Sequence, residues 1–160
     1  MKKIILSALL FAAAFIQETY AQDSASSRQL SQLLSDYYGL KDALVAGNSS
    51  LATDKAGKFI TTANTVDYKV ISEGNINAFL KDATTIFKSN NIKVQRDYFS
   101  SLSTNMAALA KAVKLTSDPV YQQYCPMKKA SWLSSEQSIK NPYFGSAMLN
   151  CGNVTETIRH

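Results

Sequence analysis

Apolar residues recur along most of this chain at intervals of three and four, the spacing that lines one face of an α-helix. From Ser27 onward, Leu30, Leu33, Leu34, Tyr37, Leu40 and Leu44 share a face until Gly47 and Asn48 interrupt the pattern, which predicts a first helix. A second is predicted over residues 51–66, burying Leu51, Ala52, Ala56, Phe59, Ile60 and Ala63, with small residues that let a neighbour approach closely. Ser49 or Ser50 is placed to cap its free N–H groups, and Asp54 suits the positive end of its dipole. A third, over residues 76–87, puts Phe79, Leu80, Ala83, Ile86 and Phe87 on a common side, behind a start blurred by Gly74 and two asparagines. In a fourth, Ile92, Phe99, Met106 and Val113 repeat every seven residues with Gln95, Leu102 and Leu109 between them, a narrow seam suited to packing along its whole length. Four amphipathic helices with short connections predict a mainly α fold, an antiparallel four-helix bundle. Only one helix carries strict heptads, which argues against a sustained coiled-coil dimer.

At Thr116, Ser117, Asp118 and Pro119 the helical pattern stops. Val120, Tyr121, Gln122, Gln123 and Tyr124 favour an extended segment, as do residues 153–158, while Asn141, Pro142, Tyr143, Phe144 and Gly145 between them read as turn punctuation. Residues 118–160 are therefore predicted to form a small irregular C-terminal cap on a bundle of residues 22–117. The pattern names two short strands in that cap and leaves their pairing open.

The first residues carry a different message. Lys2 and Lys3 precede an apolar run at residues 4–16, and Thr19-Tyr20-Ala21 ends in a small residue, the layout of a secretory signal peptide over residues 1–21. The run is shorter than the ~20 residues a helix needs to span a bilayer, so the mature domain, residues 22–160, is expected to start near Gln22 without membrane insertion. Cys125 and Cys151 lie far downstream of the cleavage site, which argues against a lipoprotein. The expected location is periplasmic or secreted.

Composition narrows the function classes. With 46% hydrophobic and 18% charged residues, 6 Gly and 3 Pro in 160 residues, the chain is neither a disordered tail nor a fibrous repeat, and its length suits one domain. The net charge of +5 is mild, and the nearest approach to a basic stripe is the pair Lys128 and Lys129, so no nucleic-acid partner is expected. Nucleophilic catalysis needs a base beside the nucleophile, and the one histidine is His160 at the chain end, where fraying is expected. Asp36 with Asp42, and Asp82 with Asp97, read as solvated helix-surface charge. There is no phosphate loop, paired-His metal signature or acidic calcium loop. An enzyme is not expected.

The sulfur residues stand apart. Cys125 and Met127 are two residues apart, which places both on one face of an extended segment; Met148 and Cys151 are three apart, which places both on one face of a helical turn. Thiolates and thioethers together select soft ions such as Cu(I), or Ag(I) as its mimic, and offer little to Mg or Ca. Zinc would take more Cys or His than the chain supplies. An equally direct reading is a disulfide: two cysteines in an exported protein commonly pair, and closing a loop of 27 residues stabilises a fold by ~3.5 kcal/mol in the chain-entropy treatment. Met127 and Met148 would then be packing residues. A disulfide has no thiolate to offer a metal, so the two states exclude each other at any instant.

The stretch Tyr124-Cys125-Pro126-Met127, then Trp132-Leu133-Ser134, then Asn141-Pro142-Tyr143-Phe144-Gly145, then Met148-Leu149 and Cys151-Gly152 resembles the exported bacterial family of domain of unknown function 3347. Tyr38, Leu40, Lys41, Ala43 and Leu44 early, and Arg96, Phe99, Leu102 and Ser103 later, extend the resemblance across residues 28–158. In that family the domain occurs alone behind a signal peptide or fused to the periplasmic adaptor subunit of copper and silver efflux pumps. The resemblance implies a soft-metal site at Cys125, Met127, Met148 and Cys151, and copper buffering or delivery with a heavy-metal efflux system as partner. The sequence has one histidine where periplasmic copper sites commonly have more, and no adaptor domain is expected in these residues. Trp132, Asn141, Pro142, Tyr143 and Gly145 are expected to shape the loop that joins the two sulfur pairs. The alternative expectation is a disulfide-stapled helical module that docks onto another envelope protein and binds no metal.

Overall fold

The structure, a computed structural model, describes residues 25–160; the expected signal peptide lies outside the described residues. Helix α1 covers residues 25–45, α2 Ser49–Ala63, α3 Glu73–Lys88 and α4 Ile92–Ala112. Strands β1, Val120–Cys125, and β2, Ala130–Ser134, follow, then a 3-10 turn, Gly145–Met148, and β3, Asn153–Ile158. Consecutive helices pack on one another, and β2 lies against α4. Among the described residues, no helix is long and apolar enough to cross a membrane.

The periodic residues of α1 are buried as a set, Leu30, Leu33, Leu34, Tyr37, Leu40 and Leu44 together with Ala43. The helix ends in paired bonds from Gly47 N–H to Leu44 O at 3.1 Å and from Asn48 N–H to Ala43 O at 3.1 Å, which satisfy carbonyls that a helix end leaves orphaned. Asn48 then caps α2, its Oδ1 accepting from Leu51 N–H at 2.9 Å. The cap is therefore Asn48 and neither Ser49 nor Ser50, because an asparagine that has closed one helix is already placed to open the next.

Two expected core residues are not in the core: Leu51 is 38% exposed and Phe87 46%. Leu51 sits in the first turn of α2, and Phe87 in the last turn of α3 has its ring lying over Gly57, where a β-carbon would come within 3.2 Å of it. Asp82, expected at the surface, is buried on α3 beside Phe79, Ala83 and Ile86. Helix α4 buries more than its seven-residue seam, adding Ser103, Ala107 and Ala110 to Gln95, Phe99, Leu102, Met106 and Leu109. The reason is its position: α3 covers one side and β2 another, so a single narrow stripe would leave one contact polar.

The cap is a three-stranded antiparallel sheet in the order β2-β1-β3. The two extended segments read from the sequence do pair, with Val120 opposite Ile158 and Tyr124 opposite Asn153, across a register shift between Gln122 and Gln123. The third strand, β2, was not foreseen. Ala130 is buried, and Trp132, Leu133 and Ser134 are buried on three consecutive positions, so the period-two alternation that announces a half-exposed strand is absent.

Polar contacts fasten cap to bundle, among them the ion pair of Lys111 on α4 with Glu156 on β3 at 2.6 Å. The hydroxyl of Tyr37, stacked on Phe99, accepts from the backbone N–H of Leu133 at 3.0 Å and pairs with Ser103 Oγ at 2.7 Å. Lys128 pairs with Asp97 on α4. His160 is not frayed as expected: its Nε2 lies 2.7 Å from the carbonyl of Ala110, which the last turn of α4 leaves without a helical partner.

Candidate functional site

Cys125 closes β1, and Cys151 sits between the 3-10 turn and β3, which pairs with β1 directly. That pairing brings two sulfurs 26 positions apart to a separation of 3.5 Å, as free thiols. A disulfide would need ~2.05 Å. Two thiolates sharing one ion at a metal–sulfur distance of ~2.3 Å would stand about 3.8 Å apart at a tetrahedral angle and about 4.6 Å apart if they held it linearly, so the pair would open by a few tenths of an ångström to about 1 Å to take an ion. Cys125 has no exposed surface, whereas Cys151 is partly exposed.

The two thiols are electrostatically unequal. Burial pushes the Cys125 thiol up, but the backbone N–H of Lys128, the side chain of Asn141, the Cys151 thiol and the N–H of Met127 together outweigh it and hold Cys125 below the ordinary thiol value. Cys151 is pushed up, first by its hydrogen bond to Cys125, then by burial and the charge of the Cys125 thiolate. The first proton lost by the pair therefore comes from Cys125, and Cys151 S–H donates to the thiolate that remains. The backbone donors come from the tight turn after β1, which is closed by a bond from Lys129 N–H to Cys125 O at 2.8 Å, with Lys129 at φ 55°.

Asn141 organises the other half. Its Nδ2 donates to Cys151 O at 2.7 Å, its Oδ1 accepts from the N–H of Tyr143 at 2.8 Å and of Phe144 at 3.3 Å, and its own N–H reaches Leu149 O at 2.8 Å. The expected loop-shaping role of Asn141, Tyr143 and Gly145 takes this form. Gly152 has φ 144°, and a β-carbon there would stand 2.8 Å from Tyr124 O and 2.9 Å from the Trp132 ring. Trp132 is fully buried edge-on to Tyr143, with ring centroids 5.8 Å apart.

Met127 is placed differently from the expectation. Strand β1 ends at Cys125, so the alternation of an extended segment does not carry on to Met127; it rides the turn and is 66% exposed. Met148 ends the 3-10 turn at 40% exposure, and Cys151 N–H donates to its carbonyl at 3.1 Å, which keeps these two on successive steps of one turn. Cys125 and Cys151 are thus brought together, while Met127 and Met148 lie on the surface of the segments that carry them. The N–H donors of Met127 and Lys128 were not foreseen, since backbone groups leave no compositional mark. The clamp at Asn141 had a signal in Asn-Pro, a dipeptide given to side-chain-to-backbone turns.

Among the described residues, no group of three or more His, Cys, Asp and Glu side chains is placed to hold a metal ion. An open groove of about 840 Å³ on the bundle, lined by Asp36, Leu51, Lys55, Lys58, Thr62 and Phe87 among others, shares no lining with the thiols. A family model described as "Protein of unknown function (DUF3347)" matches residues 33–118, the bundle from within α1 to just before β1, so all four sulfurs fall beyond the matched residues. Neither a curated protein nor a solved structure matches the chain.

Proposed function

The chain belongs to the family of proteins of unknown function DUF3347, and from the chemistry of its own cap we propose that it binds a soft monovalent ion, Cu(I) or Ag(I), between Cys125 and Cys151. One observation carries the reading: two free thiols 3.5 Å apart, one buried and supplied with N–H donors that favour its thiolate. Thiolates select soft ions, and a two-thiolate set suits an ion content with few ligands better than zinc, which takes four. Met127 and Met148 lie next to the thiols along the chain and supply thioether ligands from the solvent side, where an arriving or departing ion passes. Binding proceeds by ligand exchange, with loss of the thiol protons to solvent. With residues 1–21 read as an export signal, the role is copper buffering, or delivery to a heavy-metal efflux system, outside the cytoplasm.

Titrating the reduced mature protein with Cu(I) against a competing chelator tests this. One equivalent is expected to bind, and binding that persists in a Cys125→Ser, Cys151→Ser double variant would remove the ion from these sulfurs. The same spacing also favours a second reading, a disulfide-stapled helical module that docks onto an envelope partner without metal. Mass measurement of freshly isolated protein before and after alkylation separates the two: two alkylated thiols exclude a permanent staple, and none excludes a standing metal site.

A further inference from the structure

We propose that Cys125 and Cys151 form a reversible dithiol–disulfide pair with fixed roles, in which Cys151 exchanges with outside sulfur and Cys125 acts only from within. The consequence for metal loading rests on the reading above; the exchange chemistry does not.

Two features of the structure assign the roles. The first is reach: Cys125 has no exposed surface, so no reagent or partner sulfur can approach it in the folded chain, while Cys151 is partly exposed beside the exposed residues 146–150. The second is separation: 3.5 Å between the sulfurs is the near-attack spacing for displacement. Closing from there to a bond of ~2.05 Å is a movement of about 1.5 Å, and the two sides differ in what resists it. Cys125 is tied into the sheet opposite Ala130, whereas Cys151 follows a four-residue 3-10 turn and lies outside β3.

In the oxidising direction Cys151, the reachable sulfur, gives up its thiol proton to solvent as it attacks a disulfide R–S–S–R, forms a Cys151–S–S–R bond and expels R–S⁻. The Cys125 thiolate then attacks Cys151 Sγ, forms the internal disulfide and expels the second R–S⁻. Two thiol protons pass to solvent, and two electrons pass from the pair to the external disulfide. In the reducing direction a dithiol attacks Cys151, Cys125 leaves with the bonding electron pair, and the second thiol of the reductant releases Cys151 while the reductant departs as a disulfide. The oxidised pair offers no thiolate, so oxidation closes the metal site and reduction opens it.

Glutathione disulfide serves as the probe. Reduced wild-type mature protein is exposed to it briefly, quenched with acid and mapped by mass spectrometry. The transient adduct is expected on Cys151, followed by an internal disulfide without net glutathione. In Cys125→Ser the adduct should persist on Cys151, and it should form at least about tenfold faster than the Cys125 adduct of Cys151→Ser, because access governs the rate. A first adduct on Cys125 in the wild type, or stable glutathione on both cysteines, overturns the assignment without using either variant. Cu(I) titration of the reduced and oxidised forms is read separately: failure of the reduced form to bind removes the metal reading and leaves the sulfur roles standing, whereas equal binding by both forms removes the gate.

Discussion

Asn141 holds Cys151 by its backbone: the side-chain amide donates to Cys151 O at 2.7 Å while the amide oxygen takes the N–H groups of Tyr143 and Phe144. The residue that shapes the loop thus also sets where the second sulfur stands. Asn141→Ala would strip partners from three backbone groups around a buried side chain. The expected loss of stability is about 2–4 kcal/mol, since each unsatisfied buried group costs ~1–3 kcal/mol and some will find water. Urea unfolding measures it, and Cu(I) affinity should fall in the same variant. Unchanged stability would show that the loop is held by other contacts.

Cu(I) affinity should rise with pH in two regimes. With Cys125 below and Cys151 above the ordinary thiol value, only Cys151 has a proton to lose between their two values, so affinity should increase about tenfold per pH unit there. As pH falls below the Cys125 value both thiols must release protons, and the slope should steepen toward about a hundredfold per unit. Chelator competition as a function of pH, carried from the acid side upward, gives the slopes. A flat profile would mean that thiolates do not bind the ion.

Tyr37→Phe should cost about 2–3 kcal/mol, because the ring stays stacked on Phe99 while the buried N–H of Leu133 and the hydroxyl of Ser103 lose their shared partner. Burial keeps this phenol neutral by pushing its pKa well up, so the loss should not depend on pH across the neutral range. Hydrogen exchange should report it locally, as faster exchange at the Leu133 amide before any change in α2 or α3.

Gly152→Ala and Gly74→Ala make a matched pair. At Gly152 a new β-carbon would meet Tyr124 O at 2.8 Å with φ at 144°, and a backbone oxygen in the sheet cannot step aside. That variant should loosen β3 and make Cys125 accessible to thiol reagents. At Gly74 nothing lies within 4 Å, so alanine in the first turn of α3 should stabilise the fold by up to about 1 kcal/mol. Thermal melts and thiol-reagent kinetics distinguish the two, and a protected Cys125 in Gly152→Ala would remove the glycine's role in shielding it.

The helices were legible because their signal is local. Leu30, Leu33, Leu34, Tyr37, Leu40 and Leu44 declare their face by spacing alone, and the structure buries each of them. The errors fall where a neighbour decides: Leu51 and Phe87 have apolar side chains at helix ends with incomplete cover, and Asp82 shares a buried face with Ile86. Strand β2 went unread for a related reason, since burial on consecutive positions erases the alternation that marks a strand.

For the site, the sequence by itself determined the chemistry: two thiols, two thioethers and a turn-forming Asn-Pro between them. Only the tertiary structure decided that Cys125 and Cys151 meet, that one is buried and the other reachable, and that Met127 and Met148 stay at the surface. Residue type and spacing are local properties, but the meeting of the sulfurs follows from the pairing of Tyr124 with Asn153 across 29 positions of chain. The difference between the thiols follows from the bond and charge that Cys125 imposes on Cys151, and from the Lys128 N–H and the Asn141 side chain that favour the Cys125 thiolate. The register of β1 with β3 joins segments far apart in the chain, and the direction of a backbone dipole follows from the turn's dihedrals, so neither shows in local residue spacing.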